Sequence, residues 1–416
     1  MNRFPVTELL PPMKSGEELR CALEILPEYE PGICMQSVPV RLMALSDIYQ
    51  IYVPSRMSME IYSKLYLSLL RSLQKKGTKL AVQQRYENNR MMQMQPYSGI
   101  LGGADSYTII GKSGIGKSST ITRAISLMAG TSVIECREPY CRIIPCLTVQ
   151  CPFDSSVKGL LLEILRKTDT LLGTDYFSRA VRARTVTVDT LVGHVSTIAL
   201  NHIGLLVVDE IQNVANSKNG KSLIGLLTQL INNSGISICM VGTPECTRFF
   251  ESAMQLARRA LGLQYDSLPY DSHFQEFCQV LFRYQYVKQK TEITPAIMEW
   301  LYEHSGGVIS VVVSLVHDAQ EIGILNGKEV LNLDTLNEAY EKRLSLLHGY
   351  LSPTIPHGKQ TGNRKKKTVS INAEKERGSI TDTDISIGEL ASVAKSENKD
   401  MVALLKAHIT VEEVAV

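Results

Sequence analysis

Gly111-Lys112-Ser113-Gly114-Ile115-Gly116-Lys117-Ser118 matches the phosphate-binding pattern G-x-x-x-x-G-K-[ST] at every fixed position. The flanks fit as well. Ser106-Tyr107-Thr108-Ile109-Ile110 just before it reads as a short buried strand. Ser119 to Met128 just after it reads as a helix, with Ile121, Ala124, Ile125 and Met128 at i, i+3, i+4 and i+7. Glycines at these places let the backbone fold tightly round a polyphosphate, so that consecutive N–H groups face its oxygens. Gly111 and the run Ser113, Gly114, Ile115, Gly116, Lys117, Ser118 and Ser119 are therefore the candidate cradle. The following helix adds its unpaired N–H groups and the positive end of its dipole. Lys117 would reach the β- and γ-phosphates, and the Ser118 hydroxyl would ligate Mg²⁺. The implied ligands are ATP and Mg²⁺.

Leu205-Leu206-Val207-Val208-Asp209-Glu210 supplies the other half. An apolar run carries two acids out of its C-terminal end, where open α/β sheets bind their ligands. Asp209 would hold the Mg²⁺ shell and Glu210 would polarise the attacking water. A glutamate after the aspartate favours hydrolysis over kinase chemistry. The next strand, Ile236 to Val241, ends in Gly242-Thr243-Pro244-Glu245, which places Thr243 to hold the water or the γ-phosphate.

Outward from these motifs, strands at Tyr107–Ile110, Ile143–Gln150, Leu205–Val208 and Ile236–Val241 alternate with helical segments, the pattern of a parallel α/β sheet. One of those helices, from about Lys221 to Asn233, has its leucines on one stripe. Beyond residue 276 the strand pattern gives way to helices. Pro295 to His304 is one, Val308 to Val316 is read as another, and Asp334 caps a third. Before the sheet, Ser58 is read as capping a helix that ends at Lys76. Its Tyr62, Leu65, Tyr66, Leu69 and Leu73 share one face, which packs in the protein or docks a partner. The expected domains are an N-terminal extension over 1–95 with a partner-docking role, an α/β nucleotide-binding core over 96–275, a small helical lid over 276–350 and a flexible tail over 351–416. The tail is polar and contains Arg364-Lys365-Lys366-Lys367, a composition too poor in apolar surface to order itself.

In a chain of 416 residues the net charge is only +2, so a nucleic-acid surface has to be local. Arg179, Arg182 and Arg184, followed by Thr185, form the densest basic cluster inside the core. Arginine and threonine there would meet backbone phosphates without reading sequence. The longest near-apolar run is too short to span a bilayer. Nine cysteines and no secretory signal suggest reduced thiols in a cytoplasm. Cys136, Cys141, Cys146 and Cys151 recur every five residues and could hold Zn²⁺. On a strand, though, the odd offset sends Cys146 and Cys151 to opposite faces, which favours small buried thiols.

The phosphate loop, Val-Val-Asp-Glu-Ile-Gln (207–212), Val-Gly-Thr-Pro-Glu (241–245), Ala-Arg-Arg-Ala (257–260) and Ser-Gly-Gly (305–307) together resemble the TniB/TnsC family of AAA+ transposition ATPases over roughly residues 97–348. The resemblance implies a AAA+ P-loop NTPase with a parallel five-stranded sheet in the order 5-1-4-3-2 and a small C-terminal helical lid, to which the reading of the chain adds the N-terminal extension and a disordered C-terminal tail. It implies ATP-dependent rings or filaments of the protein on double-stranded DNA. Such assemblies connect a target selector, either a DNA-binding protein or a CRISPR-guided complex, to the transposase subunits, in the cytoplasm and on the nucleoid. It carries over Arg258 and Arg259 as paired arginines, one reaching the γ-phosphate of a neighbouring subunit, with Arg259 favoured. One departure is that Ser305 to Val316 contains no basic residue, which shifts reliance from a lid arginine to the one in trans. A helicase or clamp loader shares most of these motifs. A non-hydrolysing scaffold is disfavoured by Lys117, Asp209 and Glu210 together.

Overall fold

The computed structural model describes residues 5–76, 106–137, 140–182, 187–215, 217–252 and 262–344. Among the described residues, three α-helices precede the sheet: α1 (Gly16–Leu23), α2 (Val38–Leu45) and α3 (Arg56–Lys76). Then follow β1 (Ser106–Gly111), α4 (Lys117–Ala129), β2 (Ile134–Arg137), β3 (Tyr140–Gln150), α5 (Val157–Leu172), α6 (Tyr176–Arg182), α7 (Val188–His202), β4 (Ile203–Asp209), α8 (Gly220–Ser234), β5 (Ser237–Gly242), α9 (Thr247–Ser252) and β6 (Leu263–Tyr265). The described chain closes with α10 (Ser272–Leu281), α11 (Pro295–Ser305), α12 (Ile309–Leu325) and α13 (Leu333–Arg343).

The sheet runs β2-β3-β4-β5-β1-β6. Its five parallel strands reproduce the order 5-1-4-3-2, and the expected five-stranded sheet is corrected to six by β2, which joins the β3 edge antiparallel. This edge pairs Cys136 with Cys141 across the hairpin. Cys146 and Cys151 pack into cores on opposite faces of the sheet, and the pitch of a strand accounts for that.

Both faces are covered, as a parallel sheet requires. Leu206, Val208, Ile238 and Met240 meet α5, α7 and α8 on one side. Leu205, Val207, Cys239 and Val241 meet α3, α4 and α1 on the other. Helix α3 therefore buries the predicted stripe, with Ile61, Leu65, Leu69 and Leu73 fully enclosed. Its cap is Ser55 rather than Ser58. The Ser55 hydroxyl accepts from the Ser58 N–H at 3.4 Å while the Ser58 hydroxyl accepts from the Ser55 N–H at 3.0 Å, a reciprocal pair one turn earlier than expected. A similar shift holds at α13, where Asn332 and Thr335 form the capping box and Asp334 lies inside the first turn.

The four C-terminal helices make their own core, to which Leu45, Ile48, Ile51 and Val53 of the N-terminal segment contribute. The β-branched run Val311-Val312-Val313 sits inside α12 because its side chains are wanted there, whatever their local propensity. No single described helix is long and apolar enough to cross a membrane.

A buried ion pair ties these layers together. Arg41 of α2 is 1% exposed and donates to both carboxylate oxygens of Glu329 at 2.6 and 2.8 Å, and to the Tyr286 carbonyl at 3.1 Å. The Arg41 guanidinium holds the Glu329 carboxyl below the usual range. Removing one partner of such a pair leaves a buried charge uncompensated. Arg41→Ala is expected to lose about 3–5 kcal/mol in urea unfolding at neutral pH. The pair's contribution is fully present above the ordinary glutamate pKa of about 4.3 and fades as pH falls through the lowered native value. The gap between wild type and variant should therefore narrow on acidification.

Candidate nucleotide site

The phosphate loop is built where β1 ends and α4 begins. Gly111 lies so close to the Tyr265 carbonyl of β6 that a Cβ there would approach within 2.7 Å, and Ile115 packs its side chain into the same space. Gly114 and Gly116 take left-handed conformations, φ +81° and +94°, which turn the chain round the cradle. Gly116 then caps α4, its carbonyl accepting from the Thr120 N–H at 2.9 Å. Lys117 is largely buried and its ammonium donates to the Gly111 and Lys112 carbonyls at 2.5 and 2.7 Å. Burial lowers its pKa, while Asp209 and Glu210 pull the other way. Ser113, Ser118 and Ser119 stay exposed on the rim.

Strand β4 delivers the acids to this loop. The Ser118 hydroxyl donates to Asp209 Oδ2 at 3.1 Å, so the two residues read as Mg²⁺ ligands already touch. Glu210 is one of three non-glycine residues with positive φ (+58°) among the described residues, a bend that turns its carboxylate away from the strand axis. Its N–H donates to Asp209 Oδ1 at 2.9 Å, and Gln212 Nε2 donates to its carboxylate. The other end of the Gln212 amide accepts from the Thr243 N–H at 3.3 Å. Gln212 thereby connects the acidic strand end to that of β5. Sequence reasoning gave it no role, although it closes the Asp-Glu-Ile-Gln run. The Thr243 hydroxyl is turned to Glu245 at 2.5 Å.

Ser113, Gly114, Gly116, Lys117, Ser118, Ser119, Asp209, Glu210 and Thr243 thus share one cleft, together with Ser310 of α12. The donor set suits a polyphosphate and a hard cation: consecutive backbone N–H groups, one lysine, one hydroxyl and one aspartate. Arg258 and Arg259 lie outside the described residues, as do Arg184 and Thr185. Arg179 is exposed on α6 and paired with Asp175 at 2.8 Å; Arg182 ends the same helix, also exposed.

A second, more apolar cleft continues from the first and shares Gly114, Gly116, Ser119 and Ser310 with it. Its walls are Tyr49, Ile51 and Val53 of the N-terminal segment, Phe277 of α10, and Ile309 and Val313 of α12. The Tyr52 hydroxyl fastens the segment to α4 through Thr120 at 2.8 Å. The Ser310 N–H donates to the Gly114 carbonyl at 3.0 Å, joining the lid to the phosphate loop. The walls of this second cleft come from the N-terminal segment and, more than 200 residues further on, from α10 and α12, and no local motif marks them.

The fold is an α/β P-loop arrangement, with the phosphate loop after β1 and the acids at the end of β4 brought into one cleft. A family model described as an AAA domain matches residues 100–250. No curated protein matches the chain in sequence. Among solved structures it is similar to the ORC1 protein of Aeropyrum pernix in complex with DNA, at 12% identity and a TM-score of 0.41, over 63% of this chain and 64% of that one. It is also similar to the A. pernix ORC2 protein in ADPNP–ADP complexes, at 14% identity and a TM-score of 0.40, over 64% and 66%. For Drosophila ORC bound to DNA the values are 11% and 0.37, over 80% and 73%. The chain spans just under two thirds of the first two relatives' lengths.

Gly114 tests the cradle. A Cβ there would meet the Ser310 hydroxyl at 2.2 Å, and the left-handed backbone costs an alanine roughly 1–2 kcal/mol besides. Gly114→Ala is expected to weaken binding of a fluorescent ADP analogue by about 10-fold or more. Gly225→Ala, on α8 with open space around its Cα, is expected to leave that affinity unchanged.

Proposed function

We propose that this chain is an ATP-dependent, DNA-binding regulator of transposition of the TniB/TnsC kind, which assembles on duplex DNA and releases it through ATP hydrolysis. The observation that carries the reading is the hydrogen-bonded series Ser118–Asp209–Glu210–Gln212–Thr243 facing the phosphate loop. It sets the Asp-Glu-Ile-Gln and Gly-Thr-Pro-Glu motifs, on which the resemblance rests, side by side in one cleft.

In this reading Lys117 leaves the Gly111 and Lys112 carbonyls for the β- and γ-phosphates, and the backbone N–H groups from Ser113 to Ser119 take the remaining oxygens. Ser118 and Asp209 hold Mg²⁺, which when bound neutralises charge on the phosphates. Glu210, oriented by Gln212, positions the attacking water and takes its proton. Thr243 donates its N–H to Gln212, and its hydroxyl would leave Glu245 to hold the water or the γ-phosphate. The apolar second cleft takes the purine, stacked between the N-terminal segment and the lid. One of Arg258 and Arg259 of a neighbouring subunit supplies positive charge at the γ-phosphate.

The remaining parts belong to the same proposal. Arg179, Arg182, Arg184 and Thr185 face duplex DNA in a ring or filament. The N-terminal 95 residues contact the target selector or the transposase, and exposed Met35, Val38 and Met43 offer them a surface. Residues 351–416, read from the sequence as a tail, lie outside the described residues, and the protein works in the cytoplasm at the nucleoid.

Electron microscopy of the full chain with short duplex DNA, with and without a non-hydrolysable ATP analogue, tests the assembly. Nucleotide-dependent rings or filaments threaded by DNA are expected; monomers or dimers in both conditions would remove the DNA-encircling model. Lys117→Ala is expected to lose nucleotide binding and assembly together. Glu210→Gln should keep both while phosphate release falls about 100-fold or more. Equal phosphate release from wild type and Glu210→Gln would identify a scaffold instead.

A further inference from the structure

Phe153 is 91% exposed, the most exposed large apolar side chain among the described residues. It stands at the tip of a tight turn in which the Ser155 N–H donates to the Pro152 carbonyl at 2.8 Å. An apolar ring on a slack loop would fold down onto the surface and escape water. This one is held out. Ser155 is fully buried in a left-handed conformation, φ +52°. The Asp154 carboxylate accepts from the Ser156 N–H at 3.0 Å, and the Ser156 hydroxyl caps α5 through the Gly159 N–H at 3.1 Å.

The rest of the support comes from the segment that follows the nucleotide acids. The Asn213 amide donates to the Cys151 carbonyl at 3.0 Å. The Ser217 hydroxyl and the Asn219 amide both donate to the Asp154 carbonyl, at 2.8 and 3.1 Å. At the base of the turn the Cys151 N–H donates to the Asp209 carbonyl at 2.8 Å. The aromatic tip and the acid of the nucleotide cleft are therefore parts of one hydrogen-bonded piece.

The charge around the tip is positive. Lys158 lies in the first turn of α5, Lys218 between the two residues that hold Asp154, and Lys221 in the first turn of α8. All three are exposed, and none is in an ion pair with a described residue. Asp154 is the acid within the turn itself. A rigid exposed aromatic flanked by lysines matches a polyanion that also presents flat apolar faces.

We infer that the Pro152–Ser155 turn is a nucleic-acid contact in which Phe153 stacks on or wedges between bases while Lys158, Lys218 and Lys221 hold the flanking phosphates. The chemistry is that of aromatic side chains inserted at base steps, with lysines giving salt-dependent affinity. The inference rests on the DNA-binding reading above and adds a contact that the arginines of α6 do not supply. Because the turn hangs on Asp209, Asn213, Ser217 and Asn219, DNA contact and the nucleotide cleft share a frame.

The test is fluorescence anisotropy of the full chain on a fluorescein-labelled duplex of mixed sequence, with a non-hydrolysable ATP analogue, across a salt series. Phe153→Ala is expected to weaken binding about 5- to 150-fold, the range for losing one aromatic–base contact, and Phe153→Trp to restore it. Truncating so exposed a ring removes no packing, so the variant remains folded. Alanine at Lys158, Lys218 and Lys221 together is expected to lower the salt slope by about 3. If wild type binds the duplex and Phe153→Ala binds it equally well, this inference fails and the DNA reading stands. If wild type binds no duplex, both fall. If Phe153→Ala keeps duplex binding but loses fluorescein-casein, the turn reads polypeptide and the inference is overturned.

Discussion

A strand with parallel neighbours on both sides is buried on both faces, and everything else in this molecule follows from covering them. Residues Val207 and Val208 are adjacent in β4 yet belong to different cores, one under α3 and α4, the other under α5, α7 and α8. Among the described residues, the segment between the phosphate loop and β6 supplies α5, α7 and α8 for one face and only α4 for the other. Helix α3, from before the loop, completes it. The chain that leads to α3 must then cross from the lid to the sheet, and it does so over the apolar cleft, through Tyr49, Ile51 and Val53. The Arg41–Glu329 pair fixes one end of that crossing and the Tyr52–Thr120 hydrogen bond the other.

The end of β4 carries a comparable concentration of duties. Within five residues, Asp209 meets Ser118, Glu210 adopts a left-handed bend, Gln212 reaches β5, and Asn213 reaches the turn after β3. A non-glycine residue in that region of backbone space carries strain of order 1–3 kcal/mol, which persists only where surrounding contacts over-determine it. Here the Asp209 carboxylate and the Gln212 amide do so from either side. The strain buys direction: the Glu210 carboxylate leaves the line of the strand and faces the cleft.

The parts of this architecture that are local in sequence were legible in it. The loop 111–118, the four longer parallel strands and the helices at Pro295 and Val308 follow from motif, hydrophobic run and period. Strand β6 has three residues and β2 four, too short to carry a period, and each exists because a neighbouring edge pairs with it. The caps at Ser55 and Asn332 fell three and two positions before the expected residues because several capping types stand close together there, and only the reciprocal hydrogen bonds choose among them. The apolar cleft was illegible for a different reason: its walls are joined by tertiary packing alone. Phe153 was hidden likewise, since a Pro-Phe-Asp-Ser sequence does not announce that the ring is held outward.

Charge in the phosphate cleft points past the single chain. Among the described residues lining it, Lys117 is the one cation, facing Asp209 and Glu210. Ser310 is the lid residue that reaches this cleft, and its link to the phosphate loop is a neutral backbone hydrogen bond through the Gly114 carbonyl. A triphosphate brings more negative charge than one lysine and one divalent ion can balance, and charge building up during phosphoryl transfer needs further stabilisation at the γ-phosphate. The lid run Ser305 to Val316 has no basic side chain to give. In the proposed reading, a second molecule presenting an arginine at the mouth of the cleft would complete the balance, and catalysis would then be contingent on assembly.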